Sequence, residues 1–446
     1  MTTENTLIEK VNNWMKNSVT LKLVIITILM LLLLIPTLMI KDIINEREEL
    51  SNQAIEEVSS KWAERQQING PILTIPLIYE YDINNKIVTT IKYWHLLPEN
   101  LKIDGKIEPE KLRRGIYEVV VYKSNLSVKG NFDLVQQPDR ANLKEIKYDQ
   151  SFLTIGISDL RGIKNQINFK WDKQNLSVKP GSKISSLAYS GVTVDLPNIQ
   201  DKIGKKVNFE FLLNLRGSQN ISFVPVGSTT EVNLSSGWES PSFNGNFLPD
   251  TREINSDGFK ANWLILQLNR NFPQSWIETD QSTKMKEAAF GVDLIIPLDD
   301  YQKSMRSAKY AVMTIALTFL VFFLVEILNK RKIHPFQYIL VGLALCLFYI
   351  LLVSITEHSN FNFAYGISTL GIVSMVTLYS LSIFKAKKLT ILLTSTLVGI
   401  YGFLFVTFQL SDYALLMGSI GLTLILGATM YFTRKINWYK LNIETE

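Results

Sequence analysis

The chain has 446 residues, of which 47% are hydrophobic, and a formal net charge of +5. A chain of this length would ordinarily hold two or three domains, but here the apolar residues are concentrated in a few long runs. Much of the positive excess lies beside those runs, as in membrane proteins. We therefore expect no nucleic-acid partner.

The first apolar run covers residues 23–40 and contains no charged side chain. Its length is close to the roughly 20 residues that cross a bilayer as a helix. It is longer than the 7–15-residue core of a signal peptide, and the following PTLMIKDI offers no small-residue cleavage site. The run predicts a retained transmembrane anchor, preceded by a cytoplasmic N-terminus over 1–22.

After the anchor, residues 41–69 keep a helical period that places Ile43, Arg47 and Leu50 near one face. Gly70-Pro71 then supplies a helix stop signal. We expect the transmembrane helix to continue as a helical stalk over 41–69.

Residues 70–308 change to short runs rich in β-branched and aromatic residues, such as VNFEFLLNL and ANWLILQLN. Gly, Pro, Asn and Asp separate these runs, a pattern typical of antiparallel sandwiches. The region is predicted to be a large β-rich, sandwich-like extracytoplasmic domain, formed as one sandwich or as two smaller ones. Cys346, the only cysteine, lies outside it, so the domain has no internal disulfide and depends on its hydrophobic core.

Further apolar runs of bilayer length return near the C-terminus, at 310–328, 336–355, 361–384, 389–408 and 413–432. Basic residues occupy alternate connections, at Lys330-Arg331-Lys332, at Lys385, Lys387 and Lys388, and at Arg434-Lys435. The positive-inside rule then places both termini in the cytoplasm. The predicted fold is an α plus β membrane protein with six transmembrane helices, comprising the anchor and a five-helix bundle over 309–433, with 434–446 as a cytoplasmic C-terminus.

Glu357, His358 and Asp412 all fall at the outer ends of predicted spans. Ionisable groups inside hydrocarbon are usually functional, whereas groups at the interface can be hydrated. Three interpretations are open: a polar seam that fastens the β-rich domain to the bundle, proton or ion handling, and hydrolytic chemistry. We favour the seam. Of three histidines only His358 is expected at this level, so we expect no metal site and no cofactor.

Glu326 lies near the cytoplasmic end of the second span, and Lys330 follows four residues later. Glu before Lys at this spacing is the favourable order on a helix. We expect a structural pair of Glu326 with Lys330, with a proton relay as the alternative.

The stalk residues Glu46-Arg47, Trp62, Gln66 and Gly70-Pro71 resemble the opening of the CreD family of bacterial inner-membrane proteins. Later blocks resemble the same family in the same order: GISDLRG (156–162), FVPVG (223–227), SPSFNGNFLP (240–249), GFKANW (258–263), HPFQYILVGLALCLFYILLVSITEH (334–358) and SDYALLMGS (411–419).

This resemblance implies an inner-membrane location, a large periplasmic domain and a role in cell-envelope integrity, and it implies no catalytic residue. We expect a non-enzymatic protein of the lipid bilayer whose β-rich domain binds an extracytoplasmic protein or envelope component. One alternative is an interfacial membrane hydrolase, which needs a nucleophile or metal-bound water near His358. Another is a transporter component moving an ion or amphiphile, which needs a polar path through the spans.

Overall fold

The structure is a computed structural model, and it describes residues 19–135, 137–138, 141–296, 299–329, 333–410 and 414–434. The chain forms two compact units. One unit is Ser51–Pro297, and the other combines Met1–Leu50 with Leu298–Glu446. They are called the β unit and the membrane unit below.

The first two helices are α1, Val19–Leu32, and α2, Leu34–Trp62. They run on almost without a break, because the Leu33 amide still donates to the Leu29 carbonyl at 3.0 Å. Pro36 has no N–H to donate to the carbonyl four residues earlier, which accounts for the irregular turn at Leu33.

The stalk helix is shorter than the predicted 41–69, because α2 ends at Trp62 and strand β1 begins at Gln66. Gly70-Pro71 therefore does not stop a helix. Gly70 has φ +111° within β1, and a Cβ there would lie 2.7 Å from the Thr154 carbonyl oxygen. The register of β1 against its neighbour shifts between Asn69 and Ile72, so the Gly-Pro pair forms an irregularity in a strand.

The predicted apolar face of the stalk is also wrong. Ile43 and Leu50 are exposed, whereas Ile44, Ser51 and Ala54 are buried. The region is helical as predicted, but its buried side chains, Ile44, Ser51 and Ala54, lie on the neighbouring face.

Besides the end of α2 and four short 3-10 helices, the described part of the β unit contains the short α-helix α3 (Ser282–Glu287). Its strands are β1 Gln66–Ile83, β2 Lys86–Leu96, β3 Asn100–Arg114, β4 Tyr117–Asp133, β5 Leu143–Ile146, β6 Phe152–Ile157, β7 Phe169–Trp171, β8 Gln174–Leu176, β9 Val178–Pro180, β10 Gly191–Asp195, β11 Lys206–Ser218, β12 Asn220–Phe223, β13 Thr229–Ser236, β14 Pro241–Gly245, β15 Thr251–Asn255, β16 Gly258–Leu266, β17 Ser275–Ile277 and β18 Phe290–Leu294.

Two sheets organise these strands. The first has the order β14-β18-β12-β1-β6-β10-β9, with β2 and β5 paired to β1 and β17 paired to β2. The second has the order β15-β16-β13-β3-β4-β11-β7-β8. The pairing is not wholly antiparallel as predicted, since β1 with β12 and β3 with β13 are parallel. Parallel neighbours need a long crossover, which the intervening chain supplies.

Both sheets contribute to one hydrophobic core. Ile155 and Phe290 from the first sheet and Val128 and Trp263 from the second belong to a single cluster of buried side chains. Along β13 every second residue is buried, so one face of the second sheet packs on this core and the other faces outward. The β-rich region is thus one sandwich-like unit.

The C-terminal helices are α4 Asp299–Lys309, α5 Ala311–Leu328, α6 Pro335–Thr356, α7 Phe361–Phe384, α8 Lys387–Gln409 and α9 Ala414–Thr433. Within the described ranges, four helices are long and apolar enough to cross a membrane: Leu21–Trp62, α6, α7 and α8. Lys303–Lys309 and Ala311–Ile327, bent by 45°, make a fifth if counted as one span. The apolar part of α9, Leu416–Tyr431, is shorter.

The predicted architecture is therefore confirmed in outline: an N-terminal apolar helix, a large β-rich domain and a C-terminal set of apolar helices. The number of candidate spans is four or five in the described residues instead of six. Two segments account for the difference. The second predicted span is bent near Tyr310, and the last has a short apolar stretch.

Candidate functional site

Arg47 on α2 and Glu357 at the end of α6 form an ion pair. Glu357 caps the C-terminus of α6, where its amide donates to the Val353 carbonyl at 3.2 Å. Arg47 Nε lies 3.1 Å from Glu357 Oε1. The Glu357 side chain is only 13% exposed and that of Arg47 40% exposed, so the contact is partly shielded from water. It joins a residue of the family-like stalk motif to a residue of the predicted polar seam.

Of the other two members of that seam, only His358 lies in the described part of the chain. His358 is exposed, and its backbone amide donates to the Ile355 carbonyl at 3.1 Å. Its imidazole has no partner among the described residues. Asp412 lies outside them, so a shared cluster of all three residues stays a prediction. No group of three or more His, Cys, Asp or Glu side chains that could hold a metal ion occurs in the described ranges.

A second ion pair joins Glu326 on α5 to Lys22 on α1. The carboxylate is 1% exposed and also accepts the Tyr338 hydroxyl and the Ile333 amide, each at 3.0 Å. A buried charge is tolerated when it is both paired and hydrogen-bonded, and here both conditions hold. The predicted partner Lys330 lies outside the described residues, so that pairing stays a prediction.

The two ion pairs lie at separate levels: Lys22–Glu326 joins α1 to α5, and Arg47–Glu357 joins α2 to α6. Lys22 and Arg47 are about 25 residues apart, or roughly 37 Å of helix, which slightly exceeds the hydrocarbon thickness of a bilayer. Lys22 shares Glu326 with Tyr338, near the start of α6, whereas Arg47 meets Glu357 at its end. Helices α1 and α2 therefore run in the same direction as α6.

A close helix contact lies between these levels. A Cβ added at Gly342 of α6 would meet a methyl of Leu33 and lie 3.0 Å from Cζ of Phe319. Because Gly342 has no side chain, α6 can approach Leu33, between α1 and α2, and Phe319 on α5, as small residues allow in membrane interfaces.

In the β unit, the residues after α2 are held by the GISDLRG segment. The Asp159 carboxylate accepts the Glu64 amide at 2.9 Å and Arg161 Nε at 2.9 Å. Burial alone would raise the pKa of Asp159, but these donors and the Arg161 charge lower it overall. Arg161 also donates to the Ser60 carbonyl and, at 3.0 Å, to Glu64 Oε1.

Gln66 completes this junction. It is 0% exposed, and its Nε2 donates to the carbonyls of Asp159 at 3.0 Å and Arg216 at 2.9 Å. The Arg216 guanidinium in turn lies 4.2 Å from the centroid of the Trp62 ring. Trp62 and Gln66 therefore act as structural contacts, whereas Glu46 is exposed and unpaired within the described residues.

The outward face of the second sheet carries an open polar groove of about 750 Å³. Its lining includes Asp104, Asn125, Asn233, Arg252, Lys260 and Asn262. We call this the polar groove. It crosses β3, β4, β13, β15 and β16, so the strand register fixes the spacing of its side chains.

Asn233 organises the floor of the polar groove. Its Nδ2 donates to Asp104 at 2.8 Å and to Glu231 at 2.9 Å, and its Oδ1 accepts Asn262 at 2.6 Å. Asn125, Arg252 and Lys260 are exposed around it and make no side-chain hydrogen bond or ion pair to other described residues. The groove therefore combines a fixed floor with polar groups that remain available to a ligand.

Comparison with known proteins identifies the family. The model of the family described as "Inner membrane protein CreD" matches residues 18–439. The chain belongs to the CreD family. It is similar to the "Inner membrane protein CreD" of Escherichia coli (strain K12), with 33% identity over 419 residues that cover 93% of this chain and 92% of the relative. As a CreD-family inner-membrane protein it has the bilayer as the environment of its apolar helices.

Among the residues that join the apolar helices, sequence reasoning missed Lys22, Tyr338 and Gly342. A signal for Lys22 existed, because Glu326 ends an apolar run and a buried carboxylate requires a cation at its own membrane level. Nothing local in the sequence pointed to Tyr338 or to the approach of Leu33 to Gly342.

Proposed function

We propose that this chain is a non-catalytic, multi-pass inner-membrane protein that contributes to cell-envelope integrity by binding an extracytoplasmic protein or envelope component through its β unit. The polar groove is the observation that carries the proposal. Its exposed amide, guanidinium and ammonium groups, together with the exposed Glu253 carboxylate, suit a ligand rich in hydroxyl or amide groups. Membership of the CreD family supports the membrane setting.

The proposal of no catalysis rests on how the polar residues are used. Glu357 is held by Arg47, and Glu326 by Lys22 and Tyr338. Carboxylates that form ion pairs between helices hold the helices together. This is the arrangement expected of structural residues.

The proposed topology has six crossings, with both termini in the cytoplasm and the β unit outside. The bent pair α4–α5 counts as one crossing and α9 as another. Lys22, Lys387 and Arg434 would then lie on the cytoplasmic side, in agreement with the positive-inside rule. The single native thiol, Cys346, is buried, so a Cys346→Ala chain is a suitable background for labelling.

Labelling of intact cells with a membrane-impermeant maleimide tests this topology. Thr89→Cys, on exposed β2, should react in intact cells, and Lys387→Cys should react only after lysis. The reverse pattern would overturn the proposed orientation.

Photo-crosslinking tests the binding function. A photoreactive amino acid at Asn125 or Lys260, in the polar groove, should capture one defined envelope component in living cells. The matched control is Thr89, which is exposed on the other sheet. Identical products at all three positions, or no product at the groove positions, would contradict the proposal.

A further inference from the structure

A second groove lies in the membrane unit, between α7 and α8. It has a volume of about 480 Å³ and is lined by Thr377, Lys387, Thr390, Ile391, Thr394 and Ser395, among others. It is called the lipid-facing groove below. Only Lys385 and Ala386 separate the two helices, and Lys385 ends α7 with φ +47°. The groove therefore lies beside the turn that joins α7 to α8.

Although threonine and serine line it, the lipid-facing groove presents an almost wholly apolar surface. Thr394 donates to the Thr390 carbonyl at 2.9 Å, and its hydroxyl oxygen lies 2.8 Å from that of Thr377. Since the Thr394 proton is already donated, Thr377 is the donor in that contact. Thr390 donates to the Ala386 carbonyl at 3.3 Å, and Ser395 donates to the Leu392 carbonyl at 2.8 Å. Every lining hydroxyl is thus used internally, and methyl groups face the groove.

A positive cluster stands at the end of this apolar surface. Lys387 lines the groove, and Lys385 and Lys388 stand two residues before and one residue after it in the sequence. All three lysines are exposed, and in the described part of the chain none has an ion pair or side-chain hydrogen bond. An apolar groove that opens onto unpaired ammonium groups is complementary to an amphiphile with an acyl chain and an anionic head.

We propose that the lipid-facing groove binds one acyl chain of an anionic phospholipid whose phosphate contacts Lys385, Lys387 and Lys388. Basic pockets between transmembrane helices bind anionic headgroups in this way, and long lysine side chains reach the headgroup level while their stems cover apolar surface. The acyl chain of a zwitterionic lipid would also fill the groove, but its headgroup would bind the lysines less strongly. The site is distinct from the polar groove and does not depend on the function proposed for the β unit.

The test measures lipid retained by the full-length purified chain, with phosphatidylglycerol and phosphatidylcholine as probes in mixed nanodiscs. Replacing the three lysines by Gln should reduce the preference for phosphatidylglycerol by about fivefold per lysine. Ser395→Trp fills the groove from an exposed position and should also reduce retention. The matched controls are Lys309→Gln, an exposed lysine of α4, and Val398→Trp, an exposed position of α8 outside the groove lining.

The expected result is loss of the phosphatidylglycerol preference in the lysine variant and reduced lipid retention in Ser395→Trp, with both controls unchanged. If Ser395→Trp kept full retention, the acyl chain would not occupy the groove. If the lysine variant kept its preference for phosphatidylglycerol, the headgroup contact would be excluded. Helical circular dichroism of each purified variant verifies that the bundle has folded.

Discussion

Arg47 and Glu357 lie 310 positions apart in the chain, yet Nε of one is 3.1 Å from Oε1 of the other. The contact joins the helix that follows the first membrane segment to the end of α6. With the Lys22–Glu326 pair, it gives the membrane unit two polar attachments that bracket an apolar helix interface.

Exchanging the charges of Arg47 and Glu357 tests the first attachment. Arg47→Glu or Glu357→Arg alone should lower thermal stability in detergent, and the double exchange should recover part of the loss. Because the pair is only partly buried, we expect a coupling free energy of about 0.5–1 kcal/mol. His358→Gln is the neighbouring control and should behave as wild type, since His358 is exposed. Additive single effects would show that the two residues are not coupled.

Removing one partner of the buried Lys22–Glu326 pair should be more harmful than removing both charges. Lys22→Met leaves an uncompensated carboxylate in the bundle, which costs about 3–5 kcal/mol in buried pairs. Lys22→Met with Glu326→Gln should restore much of the stability. The measurement is the thermal midpoint of the purified chain, together with its amount in membranes. A double variant less stable than Lys22→Met would disprove the pairing.

Gly342 should tolerate large side chains poorly. Gly342→Leu would push against Leu33 and Phe319 and separate the first helix from α6. Gly371 in α7 is the control, because a Cβ there meets nothing within 4 Å among the described atoms. Crosslinking of Arg47→Cys to Glu357→Cys by a short bismaleimide, in the Cys346→Ala background, reports the separation. We expect crosslinking to fall with Gly342→Leu and to persist with Gly371→Leu, and equal yields would refute the close approach.

His95 should make the β unit sensitive to mild acid. It is 3% exposed beside Thr74 and Trp276, and burial lowers its pKa to about 4. The unfolded chain, with a pKa near 6.5, binds the proton more readily, so stability is full above about pH 6.5 and is lost as the pH falls toward 4.

The full effect is about 3 kcal/mol if the ring stays buried. Urea unfolding of the whole chain, followed by tryptophan fluorescence between pH 7 and pH 5, measures the first part of this loss, about 2 kcal/mol. His95→Gln should flatten the pH dependence in this window, whereas His358→Gln should leave it unchanged. A wild-type unfolding midpoint that is constant over this range would contradict the prediction.

The sequence predicted most where one local pattern determines the structure. The apolar run 23–40, the strand-like region after residue 70 and the later apolar runs each indicate the type of element directly, and the resemblance to the CreD family was confirmed. The end of the stalk was misplaced because Gly70-Pro71 is a stop signal for a helix and equally suits a strand irregularity.

Local sequence patterns do not show which residues far apart in the chain form pairs. Arg47 and Glu357 were each singled out, but separately, since nothing in the sequence shows which helices are neighbours. For Glu326 the predicted partner was the nearest lysine in sequence; Lys22, which the structure places on its carboxylate, is 304 positions away. The polar groove was missed because its residues come from five strands whose register depends on the assembled sheet.

The central claim is that the polar groove supports envelope integrity through binding. The most direct measurement is detergent resistance of cells that lack the chromosomal copy and carry a variant with Asn125, Arg252 and Lys260 all changed to Ala. Lys86→Ala with Thr89→Ala, on the other sheet, is the control at matched protein level. The account predicts that the control restores resistance and the groove variant does not. Full resistance with the groove variant would contradict it.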